Sequence, residues 1–408
     1  MSIFTNIKDS SAIELFAVNA IYQSDPHEFK VNLASRSYLN ENGEPWVLPA
    51  VRQAEVIIAA DPTLMNEFLP SCGLKMFCDA ATKLLLGSDC QALCENRVLS
   101  VQVMSGTGGL RLIAEFLSHV LGFKIFYISS PTRENHKHVF LCAEFEECRI
   151  YRYWSDRLRG FDVEAMLEDL RNAPQNSVII LQASGHNPTG CDPTYEDWRR
   201  IADVMKERQL FPVIDCAYQG LVSGELDKDV WSVRYIALRG FEFFVSQSFS
   251  KIFGLYNERI GNMICVTKTP DVIVNIESHL IRIIRSLYSR PPAHGARLVA
   301  EILTTPFLYQ EWKDNLRKMA LRIQEVRKKL RNSLEELKTP GNWEIITSQI
   351  GMYSYTGMTE HQCLHMLYNH HIYMLRSGRI NVCGLTSNNI NYVTKALNQT
   401  IKHIPFSK

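Results

Sequence analysis

From Arg97 to Val266, short β-rich runs alternate with helix-like segments. That alternation restricts the chain to an α/β fold, a doubly wound and mostly parallel sheet with helices on both faces. The pattern predicts strands at Val98 to Met104, Lys124 to Ser129, Ser177 to Ala183, Leu210 to Ile214, Phe241 to Ser246 and Met263 to Val266. After the first strand, Leu110, Ile113, Leu117 and Leu121 share one helical face. Leu316, Met319, Ile323, Val326, Leu330, Leu334 and Leu337 keep a spacing of threes and fours, so Asn315 to Leu337 reads as one long helix. Beyond Pro340-Gly341-Asn342 the elements become short and mixed, with helices expected near Thr359 to Asn369 and Ser387 to Lys402. The expected division is an N-terminal arm with part of a small domain over 1–44, a large domain over 45–315, and a linking helix with a small α+β domain over 316–408.

Composition narrows the function. The chain has 408 residues, 46% of them hydrophobic and 21% charged, with a formal net charge of +1. That is the make-up of a folded globular protein without a basic field for nucleic acid. No run of about 18 apolar residues occurs, and Met1 to Asp9 lacks the basic stretch and apolar core of a secretory leader. A soluble, cytoplasmic protein that handles small molecules is expected, with no membrane partner. The eleven cysteines are scattered, and neither Cys90 with Cys94 nor Cys142 with Cys148 has the spacing of a zinc knuckle. Reduced thiols and no metal are expected.

The chemistry concentrates in a few segments. Ser248-Phe249-Ser250-Lys251-Ile252-Phe253-Gly254 sets a lysine among small and apolar residues, with Arg259 close behind. A partly desolvated amine can hold an aldehyde cofactor, and Ser248 and Arg259 can serve its phosphate. By itself, Lys251 also fits an ordinary loop lysine. Ser105-Gly106-Thr107-Gly108-Gly109 leads straight from a strand into a helix, where backbone N–H groups and hydroxyls can converge on a phosphate. A plain strand-to-helix turn reads the same. Asp215 ends an apolar strand at the sheet edge where open α/β folds bind ligands, the place for a carboxylate that keeps a pyridine nitrogen protonated. Tyr218 lies three residues on, within reach of a ring oxygen. Asn187, in His186-Asn187-Pro188-Thr189-Gly190, offers an amide to that oxygen. Arg379, in Ser377-Gly378-Arg379-Ile380-Asn381, is a candidate for bidentate binding of an amino-acid carboxylate.

These segments, together with Lys30 to Leu33, Pro45 to Pro49, Tyr151 to Trp154 and Ala217 to Gly220, resemble class I pyridoxal-phosphate aminotransferases, and within them the animal cytosolic aspartate branch, from which the chain reads as a diverged relative. The resemblance runs almost end to end. It implies the fold-type-I architecture, pyridoxal 5'-phosphate as cofactor, a homodimer with active sites at the subunit boundary, and amino-group exchange between aspartate and 2-oxoglutarate. Carried over by position, Lys251 would hold the cofactor and move the proton at the substrate Cα. Asp215 would hold the ring nitrogen with His136 behind it, and Tyr218 and Asn187 the ring oxygen. Ser105, Gly106, Thr107, Ser248 and Arg259 would bind phosphate. Arg379 would take the α-carboxylate, and Arg285 of the partner subunit the side-chain carboxylate.

Four positions depart from the family pattern, all close to the expected cofactor. Arg133 stands where the family has a tryptophan that stacks on the ring, Arg36 in place of a glycine, Phe68 in place of a tyrosine and Gln182 in place of a histidine. Arg133 and Arg36 are thereby candidate substrate-binding residues as well as obstacles. Two alternatives to transamination follow: an aspartate reaction with another outcome, such as racemisation, or an impaired paralogue that serves as a dimer partner or binding protein.

Overall fold

The computed structural model describes residues 2–8 and 13–406, so the expected segments 1–44 and 316–408 fall partly outside it. A seven-stranded sheet forms its centre. In chain order the strands are β1 (Val98–Met104), β2 (Ile125–Ser130), β3 (Glu147–Arg152), β4 (Val178–Gln182), β5 (Phe211–Cys216), β6 (Phe243–Ser248) and β7 (Ile260–Val266). Their order across the sheet is β1-β7-β6-β5-β4-β2-β3. β7 is antiparallel to both neighbours, and the remaining pairings, from β6 to β3, are parallel. Every residue of β6 and β7 is buried, as expected of central strands covered on both faces.

Two differences from the sequence pattern have clear causes. The sixth strand is shifted two residues on, to Phe243–Ser248, because Gln247 and Ser248 pair with Asn262 and Gly261 in the ladder. An apolar run cannot reveal polar residues that stay in the sheet. The strand Glu147–Arg152 was not expected. It lies at the sheet edge, mostly uncovered, and its charged residues are typical of an edge that must not pair further.

The helix after β1 spans Ser105–His119, so its first turn is the glycine-rich segment itself. Glycine is required there for packing: a Cβ on Gly109 would meet Ser246 Oγ at 2.4 Å. The long helix runs Pro306–Glu336, nine residues earlier than its periodicity announces, with Pro306 in its first turn. Its buried stripe, from Leu308 through Trp312 and Leu316 to Leu334, packs in one core cluster with Phe249, Phe253 and Met352. That continuity fixes the loop after β6 against the C-terminal part of the chain.

Short strands close the remaining part. Val31–Asn32 pairs in parallel with Ile372–Tyr373, and Tyr353–Tyr355 pairs antiparallel with Arg379–Asn381. The segment after Asn32 is thereby carried to Arg379. Among the described residues no helix is long and apolar enough to cross a membrane. The eleven cysteines are unpaired, and only Cys94 and Cys142 are exposed.

Candidate active site

Lys251 follows β6 on a turn anchored by Phe249 and Ile252, both almost fully buried. Its side chain lines a cavity of about 160 Å³ together with Ser105, Gly106, Thr107, Asn187, Tyr218, Ser248 and Arg259. Arg36 and Arg133 line the same space. Burial brings the Lys251 ammonium down to about 7, helped by the positive charges of Arg133, Arg36 and Arg259 and opposed by Asp215. A lysine at its ordinary value would be almost wholly protonated at neutral pH; here a large fraction of the amine is free. Nζ sits 5.7 Å from the centre of the Tyr218 ring.

Asp215 ends β5 and is buried. His136 Nε2 and Arg133 Nη1 each lie 3.0 Å from its Oδ2. Burial alone would raise this carboxyl, but the His136 hydrogen bond and the Arg133 charge outweigh it and hold the group at about 2. His136 is itself held below its ordinary value by burial, so it serves as a neutral donor, oriented by Thr132 Oγ1 at 2.9 Å from Nδ1. Asp215 Oδ1 is buried and has no hydrogen-bond partner among the described residues. A buried carboxylate oxygen left unpaired is costly, and a protonated ring nitrogen is the partner it lacks.

At the other end of the cavity, Ser105 Oγ lies 2.8 Å from Ser250 Oγ and 3.2 Å from Ser248 Oγ. Ser105 and Arg259 both adopt left-handed backbone angles, with φ of 62° and 51°. Non-glycine residues held there carry strain, which concentrates at ligand sites. The reason for Ser105 is visible in β7, where Gly261 lets the Ser105 backbone come close: a Cβ at Gly261 would fall 2.7 Å from Ser105 C. Hydroxyls, a helix N-terminus and Arg259, which is exposed but lines the cavity, make an anion cradle.

Asn187 is fixed from behind by Gln182. Gln182 Nε2 donates to Asn187 O at 3.1 Å, and Asn187 N donates to Gln182 Oε1 at 2.9 Å. Arg379 is buried, donates from Nη2 to Ala34 O at 2.9 Å, and stacks 4.7 Å from the centre of the Tyr353 ring. Its Nε has no partner among the described residues. The guanidinium is therefore available to a carboxylate.

Two expected residues stand apart from this cavity. Arg285 lies in the last turn of the helix Ile273–Leu287 and is exposed. Phe68 is 75% exposed, with the Arg290 guanidinium 5.0 Å over its ring. Four lining residues were not singled out from sequence: Ala217 beside Tyr218, Ser250 inside the lysine motif, Tyr256 between that motif and Arg259, and Tyr353, which belongs to no motif. Only the pairing of Tyr353–Tyr355 with the Arg379 strand brings Tyr353 in.

An unpaired carboxylate oxygen, a free amine and an anion cradle in one cavity fit a phosphorylated pyridine aldehyde, so the donor set suits pyridoxal phosphate. Among the described residues no group of three or more His, Cys, Asp or Glu is placed to hold a metal ion. The sequence profile of the family described as "Aminotransferase class I and II" matches residues 28–397. The cytoplasmic aspartate aminotransferase of Gallus gallus is 47% identical over 99% of both chains. The aspartate aminotransferase from Saccharomyces cerevisiae cytoplasm superposes with a TM-score of 0.96 at 37% identity, over 98% of this chain and 99% of that one. An aromatic-amino-acid aminotransferase from Burkholderia pseudomallei, covalently bound to pyridoxal phosphate, superposes with a TM-score of 0.95 at 34% identity, over 98% of this chain and 100% of that one. With a match of this extent and a site of this chemistry, the chain belongs to the class I and II aminotransferases.

Proposed function

We propose that this protein is a cytoplasmic aspartate aminotransferase that uses pyridoxal phosphate to exchange the amino group between L-aspartate and 2-oxoglutarate, giving oxaloacetate and L-glutamate. The observation that carries the reading is the Lys251 amine, brought down to about 7 and facing the same cavity as the phosphate-type cradle. When bound, pyridoxal phosphate supplies an aldehyde for amines and a ring that draws electrons from the substrate Cα.

The residues of the chain do the rest. Ser105, Gly106, Thr107, Ser248 and Arg259 would hold the phosphate. Asp215, kept in place by His136, would hold the ring nitrogen. Tyr218 and Asn187 would serve the ring oxygen. Arg379 would bind the α-carboxylate and so fix which Cα bond faces Lys251, whose Nζ takes the proton from the Cα of aspartate and, in the return half of the exchange, delivers one to the Cα of the glutamate formed. A large domain over 45–315 would carry the cofactor, and the segment 316–408, the linking helix with the small domain, would supply Arg379. A homodimer brings Arg285 of the partner subunit toward the cavity mouth.

The test is a coupled assay for oxaloacetate with the cofactor-loaded protein. Wild type transfers the amino group, Lys251→Ala loses at least about a thousandfold in rate, and Arg379→Ala mainly raises KM. A loaded wild type that forms no oxaloacetate overturns the reading. One observation favours a second reading, an impaired paralogue acting as a dimer partner: Arg133 bridges Asp215 and Thr107, at the two ends of the cofactor's place. In that case the absorbance of the loaded protein stays unchanged in excess aspartate.

A further inference from the structure

The cavity holds more positive charge than cofactor and α-carboxylate require. Of the guanidinium groups in and beside it, Arg133 is paired with Asp215, Arg259 belongs to the phosphate cradle, and Arg379, next to the lining Asn187, has an unpaired Nε for the α-carboxylate. Arg36 is left over. The largest charges acting on it are those of Tyr353, Arg133, Arg379 and Tyr218, whereas the carboxylate of the site, Asp215, is taken by Arg133 and His136. Burial lowers its affinity for protons, and the two neighbouring cations lower it further, yet a guanidinium stays charged under such pressure. A part-buried cation among cations is unfavourable unless an anion joins it.

Its position is built. Ala34 N and Ser35 N donate to Asn32 Oδ1 at 2.9 and 3.2 Å. On the other side, Asn381 Nδ2 donates to Ser35 O and Ser37 O at 3.2 and 2.8 Å, and Arg379 Nη2 to Ala34 O. Tyr38 N donates to Tyr256 Oη at 2.8 Å. The backbone on either side of Arg36 is thus clamped to the strand that carries Arg379. Arg36 and Arg379 are thereby carried on one support, two guanidiniums for the two carboxylates of a short diacid.

Resting on the aminotransferase reading above, we propose that Arg36 binds the second carboxylate of the substrate from within the same subunit and carries more of the selectivity for dicarboxylates than Arg285 of the partner subunit does. The side chain that replaces a glycine thereby becomes a specificity device instead of an obstruction.

The test is calorimetric titration of succinate, an unreactive diacid, and of butyrate, its monoacid counterpart, into the protein with and without pyridoxal phosphate. Wild type, Arg36→Ala, Arg36→Lys and Arg285→Ala are compared, each first checked for a wild-type unfolding midpoint. The expected result is a loss of about 10- to 100-fold in succinate affinity for Arg36→Ala, as for removal of a charge-assisted pair, with butyrate changed less than about twofold. Arg36→Lys recovers part of the loss, and Arg285→Ala loses less than Arg36→Ala. The proposal is overturned if wild type does not bind succinate, if Arg36→Ala leaves succinate binding unchanged or tighter, or if Arg285→Ala causes the larger loss. Failure of the aminotransferase reading shows itself separately, as succinate binding that depends on Arg36 in a protein that never takes up the cofactor.

Discussion

Arg133 Nη1 donates to Asp215 Oδ2 at 3.0 Å while its Nη2 donates to Thr107 Oγ1 at 2.9 Å, so one guanidinium ties the acid of the site to its phosphate-type cradle. An indole cannot do this. The contact makes Arg133 a rival for Asp215 and a source of positive charge on Lys251, and both effects are measurable.

Replacing Arg133 with tryptophan leaves Asp215 Oδ2 to His136 alone and removes the largest positive charge acting on Lys251. The pH midpoint for cofactor attachment should move upward from about 7, because a less repelled ammonium holds its proton more firmly. Cofactor affinity should rise in the same variant. Stopped-flow absorbance across pH checks both; a midpoint that stays in place contradicts the assigned charge coupling.

In the wild type itself, attachment requires the unprotonated amine. Its rate should climb with pH up to about 7 and then level off, well below the value of an ordinary lysine. The sign follows from a lowered lysine value: protons leave earlier, so the reactive form appears at lower pH. A rate still rising steeply above pH 9 would contradict the burial of Lys251.

Asp215→Ala removes the one carboxylate that Arg133 and His136 share. Breaking a buried pair from one side costs about 3–5 kcal/mol, since Arg133 is left among other cations. Denaturant unfolding of the cofactor-free variant should show that loss. Unchanged stability would mean that Arg133 turns out to solvent without cost.

Gln182→Leu strips Asn187 of both backbone bonds that hold it. Leaving a buried N–H and C=O unpaired costs about 1–3 kcal/mol, and a displaced Asn187 should also weaken α-carboxylate binding through its contact with Arg379, whose Nη1 lies 3.5 Å from Asn187 Oδ1. Both a lower unfolding midpoint and a higher aspartate KM are expected.

Gly261→Ala places a Cβ 2.7 Å from Ser105 C, against backbone that cannot easily yield. Overpacking of this kind costs about 1–3 kcal/mol, and here it also shifts the Ser105 hydroxyl out of its contact with Ser250. Phosphate-dependent cofactor affinity should fall more than stability does.

Much of this was legible in the chain. The alternation of apolar runs placed the sheet because buried parallel strands are almost continuously apolar, as in Val178–Gln182. It failed for Glu147–Arg152, where an edge strand carries charge, and at Gln247 and Ser248, where the ladder continues through two polar residues, of which Ser248 lines the cavity. Lys251, Asp215 and Asn187 sit in short local motifs at strand ends, so their approach follows from topology. Tyr353 and the clamped position of Arg36 depend on pairings between distant segments, such as Val31 with Ile372, which no local pattern encodes.

The central claim is that Lys251 is the covalent anchor of the cofactor. Incubation with pyridoxal phosphate at neutral pH, fixation with borohydride and peptide mass mapping tests it most directly. The account predicts one cofactor per chain on the peptide carrying Lys251, and none there in Lys251→Ala. Labelling spread over surface lysines, with Lys251 unmodified, would contradict it.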